Sequence, residues 1–272
     1  MINKYNNFLF EKLYEGSKQL NENQFWKLFN KNCKDYTCYH NSMTDNNLIF
    51  KSMNLNVDYF MISDNLPERK SIHNPNYYTL LINNLDSWKK YPKRQQICSL
   101  SEPWFIIPKD GLYVIIPFDN SKWGVVPDDD IWGVEFFGLE LSNFDMLFNT
   151  YIFTIKDNSW DEFLKDVEIA DKEYKHEFII KLEQYLKLDK KAQNFINSIK
   201  NKFSKKKYID FYKKFFTPNN LNFELYEHKD LIKNKKLLNN YKHEVWTDSN
   251  SLYVDYEIFI RDILPKIKKE ND

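Results

Sequence analysis

Between Gln96 and Phe137 the chain breaks into five short β-branched or aromatic runs: Gln96–Leu100, Trp104–Ile107, Tyr113–Pro117, Gly124–Val126 and Val134–Phe137. None is long enough to favour a helix. Turn signals separate them, at Pro108-Lys109-Asp110-Gly111, Asp119-Asn120 and Pro127-Asp128. A segment punctuated in this way folds as a meander of strands. From Trp160 the texture changes. Trp160–Leu186 and Lys190–Phe203 carry helical spacing with dense charge, and Tyr208–Phe216 is a third helix stopped at Pro218. Phe223–Tyr226 reads as a strand or a turn, and Lys229–Tyr241 as a helix. Then strand texture returns in His243–Val254, HEVWTDSNSLYV, two short strands about a turn at Asp248-Ser249-Asn250. A late strand pair that rejoins the front sheet makes the helices between an insertion. The expectation is therefore one α+β core of residues 1–157 and 241–272, with a helical insertion over 158–240.

Ahead of the meander, residues 5–31 look helical, with a break at Gly16-Ser17 and a second start capped by Asn21 or Asn23. Thr37–His40 reads as extended. Thr44–Met53 reads as a helix capped by Thr44 or Asp45, with Leu48, Ile49 and Phe50 on its apolar side. Tyr59–Ser63 is a predicted strand. Asn74-Pro75 opens a helical stretch through Trp88, with Tyr77, Tyr78, Leu81, Ile82 and Leu85 on one face. Tyr256–Ile267 closes the chain as an amphipathic helix.

Charge and composition exclude some functions. Lys+Arg and Asp+Glu both number 39, so there is no cationic surplus to neutralise phosphates, and nucleic acid is not a favoured partner. The basic run Lys200–Lys207 reads as a solvated helix end or turn. With only 5 glycines there is no GxGxxG and no GxxxxGK[ST] loop. The N-terminus lacks a long apolar core, and no apolar run approaches the roughly 20 residues that span a bilayer. Three cysteines, an odd number, suit a reducing compartment, so a cytoplasmic location is expected, with no membrane partner. Cys33-x4-Cys38-x-His40 lacks a fourth ligand and matches no standard zinc spacing, so no metal is expected. Asp128-Asp129-Asp130, and His228 beside Glu227 and Asp230, read as polar turns.

Four elements in a fixed order suggest chemistry. The first is Tyr39-His40-Asn41-Ser42. The second is the loop Leu66-Pro67-Glu68-Arg69. The third is Tyr91-Pro92-Lys93-Arg94 followed by the strand Cys98-Ser99-Leu100-Ser101, a Ser-x-Ser after an Arg. The fourth is Lys242-His243-Glu244-Val245-Trp246-Thr247 with Ser251-Leu252-Tyr253-Val254 after it. Arginine is scarce beside lysine here, which makes Arg69 and Arg94 conspicuous; its forked donors suit a diphosphate.

This order resembles the ADP-ribosyltransferase folds, viral and phage relatives included. The resemblance covers roughly 36–126 and 241–256. Asn41 stands where the family has Gly, and His243 where it has Asn. The segment over 158–230 lengthens the usual His-to-Glu spacing. The resemblance implies small mixed or antiparallel sheets and NAD as substrate. It further implies Glu244 as the catalytic carboxylate, His40, Arg69 and Arg94 on the NAD ribose or diphosphate, and Ser99 and Ser101 supporting the site. ADP-ribose would pass to a macromolecular target, expected to be a protein. The alternative expectation is a viral or host-interaction binding protein on the same fold without the chemistry. Tyr77 and Tyr78 are read as core, with Tyr113 and Tyr253 the other tyrosines considered for stacking on nicotinamide.

Overall fold

The computed structural model describes residues 16–40, 48–53, 55, 57–64, 66, 77–100, 111–136, 139–141, 159–173, 180, 207–234, 237 and 243–269. The chain forms two compact units. The first is Met1–Arg69, Tyr91–Val125 and Leu225–Asp272, and the second is Lys70–Lys90 and Val126–Glu224. The late strands do rejoin the front ones. The boundaries fall at 126 and 224 where the sequence suggested 158 and 240, and 70–90 joins the second unit.

The first unit carries a nine-stranded sheet. Its strands are β1 (Ser17–Leu20), β2 (Ile49–Met53), β3 (Tyr59–Ile62), β4 (Gln96–Leu100), β5 (Gly111–Pro117), β6 (Lys122–Val125), β9 (Glu224–Glu227), β10 (His243–Thr247) and β11 (Ser251–Asp255). Their order is β1-β3-β11-β5-β2-β4-β10-β6-β9. Every register determined between neighbours is antiparallel. The expected small sheets are thus replaced, in this unit, by a single large one.

That sheet cannot be flat. Thr247 and Ser251 are four Cα steps apart, at most about 15 Å. Yet β10 and β11 lie four places apart in the order, about 19 Å in a flat sheet. The bend is visible in the pairing. β5 and β6 follow each other but pair elsewhere, as do β10 and β11. Val114 to Pro117 face Val254 to Ser251, while Gly124 and Val125 face Trp246 and Val245. One long two-stranded ribbon, 111–125 against 243–255, therefore turns a corner at 118–121 and 248–250. The Phe118 N–H still donates to the Asn250 carbonyl across it (3.0 Å). β2 is the second link: Ile49 and Phe50 pair with β4, and Phe50 to Met53 pair with β5. Strands that switch sheets make corners of this kind.

Two cores result. Phe60, Ile62, Ile115 and Tyr253 from one half meet Cys98, Leu100, Trp123, Val125 and Val245 from the other. On the outer face of the first half, Val114, Ile116, Leu252 and Val254 pack against two flanking groups of helices. One group is α1 (Glu22–Asn32), which supplies Phe25 and Phe29, and α2 (Lys34–His40). The other is the closing run, which supplies Phe259, Ile263 and Ile267. That run is α7 (Tyr256–Ile258), a π-helical turn (Phe259–Ile263) and α8 (Leu264–Lys269). Asn21 caps α1 with a full capping box, its Oδ1 accepting from Gln24 N–H and Gln24 Oε1 accepting from Asn21 N–H.

Three secondary-structure expectations fail here. Ser17–Leu20, inside the stretch read as helical, is strand β1, paired with β3. Thr37–His40 is the end of helix α2, not an extended piece, because Asp119 accepts the Asp35 N–H at 2.9 Å and caps the helix from across the fold. Ile49–Met53 is strand β2, not part of a helix; Leu48, Ile49 and Phe50 are buried and its backbone is paired on both sides. Thr44, Asp45 and Trp104–Ile107 lie outside the described residues.

The second unit contains α3 (Tyr77–Asn84), β7 (Glu135–Phe136) paired with β8 (Leu139–Glu140), α4 (Trp160–Glu173) and α5 (Tyr208–Phe215). Helix α3 is buried on every side over Tyr77–Ile82, not on one face. An apolar helix of that kind belongs in a core. Tyr77 donates to the Tyr78 hydroxyl, which donates to the Leu141 carbonyl, so both rings are core. Trp88 donates to the Phe216 carbonyl. Among the described residues no helix is long and apolar enough to cross a membrane.

Candidate active site

Three of the six residues singled out by sequence converge in the first unit. β10 pairs with β4 so that Glu244 lies opposite Ser99 and Trp246 opposite Ile97. Directly opposed residues of an antiparallel pair share a face. Val245, Cys98 and Leu100 belong to the inter-sheet core, so Glu244, Ser99 and Trp246 lie on the other face. There Arg94 meets Glu244. Its Nε and Nη2 both donate to Glu244 Oε1, at 3.1 and 2.6 Å. The side chains are 3% and 10% exposed, a desolvated ion pair. Glu244 Oε2 accepts no hydrogen bond among the described residues. Ser99 is partly exposed and is not bonded to Glu244.

The segment before β4 covers this face as a strap. The Tyr91 ring lies 6.2 Å from the Trp246 ring at an interplanar angle of 18°. Pro92 O accepts the Trp246 indole N–H at 3.0 Å. The Lys93 N–H donates to Asp248 Oδ2 at 2.9 Å. Lys93 and Gln95 also line an open cleft of about 590 Å³ with Asp64, Leu66, Asp248 and Ser249. The Gln95 amide donates to the Leu66 carbonyl, while its buried Oε1 accepts nothing among the described residues. Gln96 ties the corner further, donating to Ser249 O and accepting from the Tyr253 hydroxyl.

The remaining expected residues do not join this group. His40 is the last residue of helix α2, not a strand end. Arg69 and Ser101 lie outside the described residues. Tyr113 and Tyr253 are buried, the former bonded to Leu55 and Val57 carbonyls, which suits packing rather than stacking on a ligand. Asp130 caps a 3₁₀ turn (Ile131–Gly133) by accepting the Trp132 N–H, and Asp128 accepts the Asp129 N–H. Among the described residues no group of three His, Cys, Asp or Glu side chains could hold a metal.

One titratable residue was misread. His228 is not in a solvated turn: it opens helix α6 (His228–Leu231) and is 3% exposed. Its ring stacks on Tyr36 at 5.8 Å and 3° and lies 6.3 Å from Trp123, with neither nitrogen hydrogen-bonded among the described residues. Burial pushes its pKa down to about 3, so it is neutral. Burial likewise raises the pKa of the Cys33 thiol, with a smaller push from Asp119. Sequence reasoning also missed the pairing of Trp246 with Gly124; a lone glycine in a strand run was its only signal.

Comparison with protein-family models, with characterised proteins and with solved structures finds no match to the chain.

Proposed function

We propose that the chain is an ADP-ribosyltransferase that uses NAD as substrate and transfers ADP-ribose to a macromolecular target, a protein. What carries the reading is one arrangement. Glu244 lies opposite Ser99 on β4 and is bonded to Arg94 just before that strand, 150 residues away in sequence. In the reaction the bond from the ribose C1′ to nicotinamide breaks and its electron pair leaves with nicotinamide. A nucleophile on the target bonds to C1′ and its proton passes to solvent. Glu244 is suited to the positive charge that develops on the ribose. Arg94 fixes Oε1 and leaves Oε2 to accept from a ribose hydroxyl, and Ser99 stands opposite as a further donor. His40, Arg69 and Ser101 enter this reading through the family resemblance alone. The test is transfer of label from NAD carrying a tagged adenine to proteins of a cell extract or to the chain itself. Glu244→Gln is expected to abolish labelling; full labelling by that variant overturns the assignment.

The near-complete burial of the ion pair favours a second reading, a binding protein on this fold that has no chemistry. In that case Glu244 and Arg94 only fasten the strap to β10. Calorimetry separates the two: no heat with millimolar NAD supports the binding protein, and saturable heat supports the enzyme.

A further inference from the structure

Gly124 lies opposite Trp246 in the β6–β10 pairing. A Cβ built on Gly124 would fall 2.1 Å from the indole ring and 2.3 and 2.5 Å from its next atoms. The fully buried indole therefore lies flat on the backbone of β6, in space only glycine leaves. From that seat it makes two contacts with one short segment, the ring contact with Tyr91 and the hydrogen bond to Pro92. Two residues on, that segment ends in Arg94, and two residues back along the same face of β10 stands Glu244. The strap is thus fixed to β10 and the turn after it at successive points: Tyr91 and Pro92 on Trp246, Lys93 on Asp248 of the turn, and Arg94 on Glu244. Arginine is long and has many rotamers. The rotamer that puts Nε and Nη2 on Oε1 depends on where its backbone stands, and the indole holds the chain two residues before it.

We propose that Trp246 is a positioning residue: seated on Gly124, it indexes the 91–94 strap so that Arg94 holds the Glu244 carboxylate in one orientation. The inference rests on the enzyme reading only for its effect on turnover; the mechanical part stands without it. Trp246 touches neither substrate nor reacting atoms in this role, and it acts through Arg94. Misplacing a catalytic group by about an ångström can cost on the order of a hundredfold in rate.

The experiment uses the full chain with Trp246→Phe, which keeps a ring but removes the indole N–H and much of the surface under the strap. Tyr91→Leu, at a partly exposed position, is the milder variant should Trp246→Phe not fold by circular dichroism. Amide hydrogen exchange over 91–95 is expected to rise at least about tenfold while exchange in β5 and β11 stays unchanged. For NAD-dependent labelling, kcat is expected to fall about tenfold or more with KM for NAD within about twofold. In an Arg94→Gln background, Trp246→Phe should cost less than about twofold more, because the two act in series. Unchanged exchange over 91–95 overturns the proposal, and so do effects of Trp246→Phe and Arg94→Gln that multiply. A wild-type chain that never turns over NAD sinks the enzyme reading instead, and the exchange arm then decides the strap by itself.

Discussion

The first unit buries two polar groups in opposite ways. Glu244 is held by a cation, with Arg94 Nε and Nη2 on one oxygen. His228 has no partner on either ring nitrogen among the described residues and is neutral. The difference follows from cost. A carboxylate and a guanidinium taken out of water need each other, since either alone would face a desolvation penalty of several kcal/mol. An imidazole can avoid that penalty by giving up its proton. So the first site is a charged arrangement that any loss of a partner upsets. The second is an aromatic slab that only acid upsets.

Breaking the first site gives the largest effect. Arg94→Ala leaves Glu244 buried without its cation and is expected to cost about 3–5 kcal/mol in chemical denaturation. Replacing both residues, Arg94→Met with Glu244→Leu, should recover most of that loss. If the single change costs under about 1 kcal/mol, the pair is solvated and the contrast with His228 fails.

His228 should give the next largest effect. Its folded pKa lies below the unfolded value, so above about pH 6.5 neither state binds the proton and the stability is fully present. As pH falls from there toward 3, the unfolded state takes up a proton that the folded state refuses. Stability should drop by about 1.4 kcal/mol per pH unit, or roughly 2–3 kcal/mol by pH 4.5. Urea midpoints against pH measure this, and His228→Phe should flatten the curve between pH 6.5 and 4.5. An unchanged slope in that variant would assign the acid sensitivity to other groups.

The smallest effect marks the exposed end of the comparison. Asn21→Ala removes an N-cap at the surface, where water can replace the lost acceptor, and should cost about 1 kcal/mol by the same denaturation measurement.

What sequence made legible follows the same division between local and distant causes. β3, β4, β5, β10 and β11 were readable because alternating or continuous apolar runs end in turn residues. β2 was not. Leu48-Ile49-Phe50 is apolar without a period, and such a run fits a buried strand or a helix equally until its neighbours are known. Helix α2 failed for a related reason: the side chain that accepts its Asp35 N–H is that of Asp119, which no local window contains. His228 was read beside Glu227 and Asp230 as a polar turn because the rings that cover it, Tyr36 and Trp123, come from far off in sequence. At the candidate site, Glu244, Ser99 and Arg94 could be named from sequence. The direct ion pair could not, nor could the indole that stands behind it. The strand pairs also hid their topology. Asp119-Asn120 and Asp248-Ser249-Asn250 look like hairpin turns, yet each leads the chain around the corner of the ribbon into the other half of the sheet.

That bent ribbon has a consequence for how the molecule is made. β10 and β11 are interior strands, separating β4 from β6 and β3 from β5, and among the described strands of this sheet they come last in the chain. Val125 must wait for Val245, and Pro117 for Ser251. Pairings so remote in sequence close slowly, because the entropy of the intervening loop is lost before any contact repays it. Until residues 243–255 arrive, a nascent chain carries open edges on β3, β4, β5 and β6, the kind of surface that recruits another chain. The sheet is completed from the middle outward, and a ribosome stalled before Asp255 would release an aggregation-prone half-product.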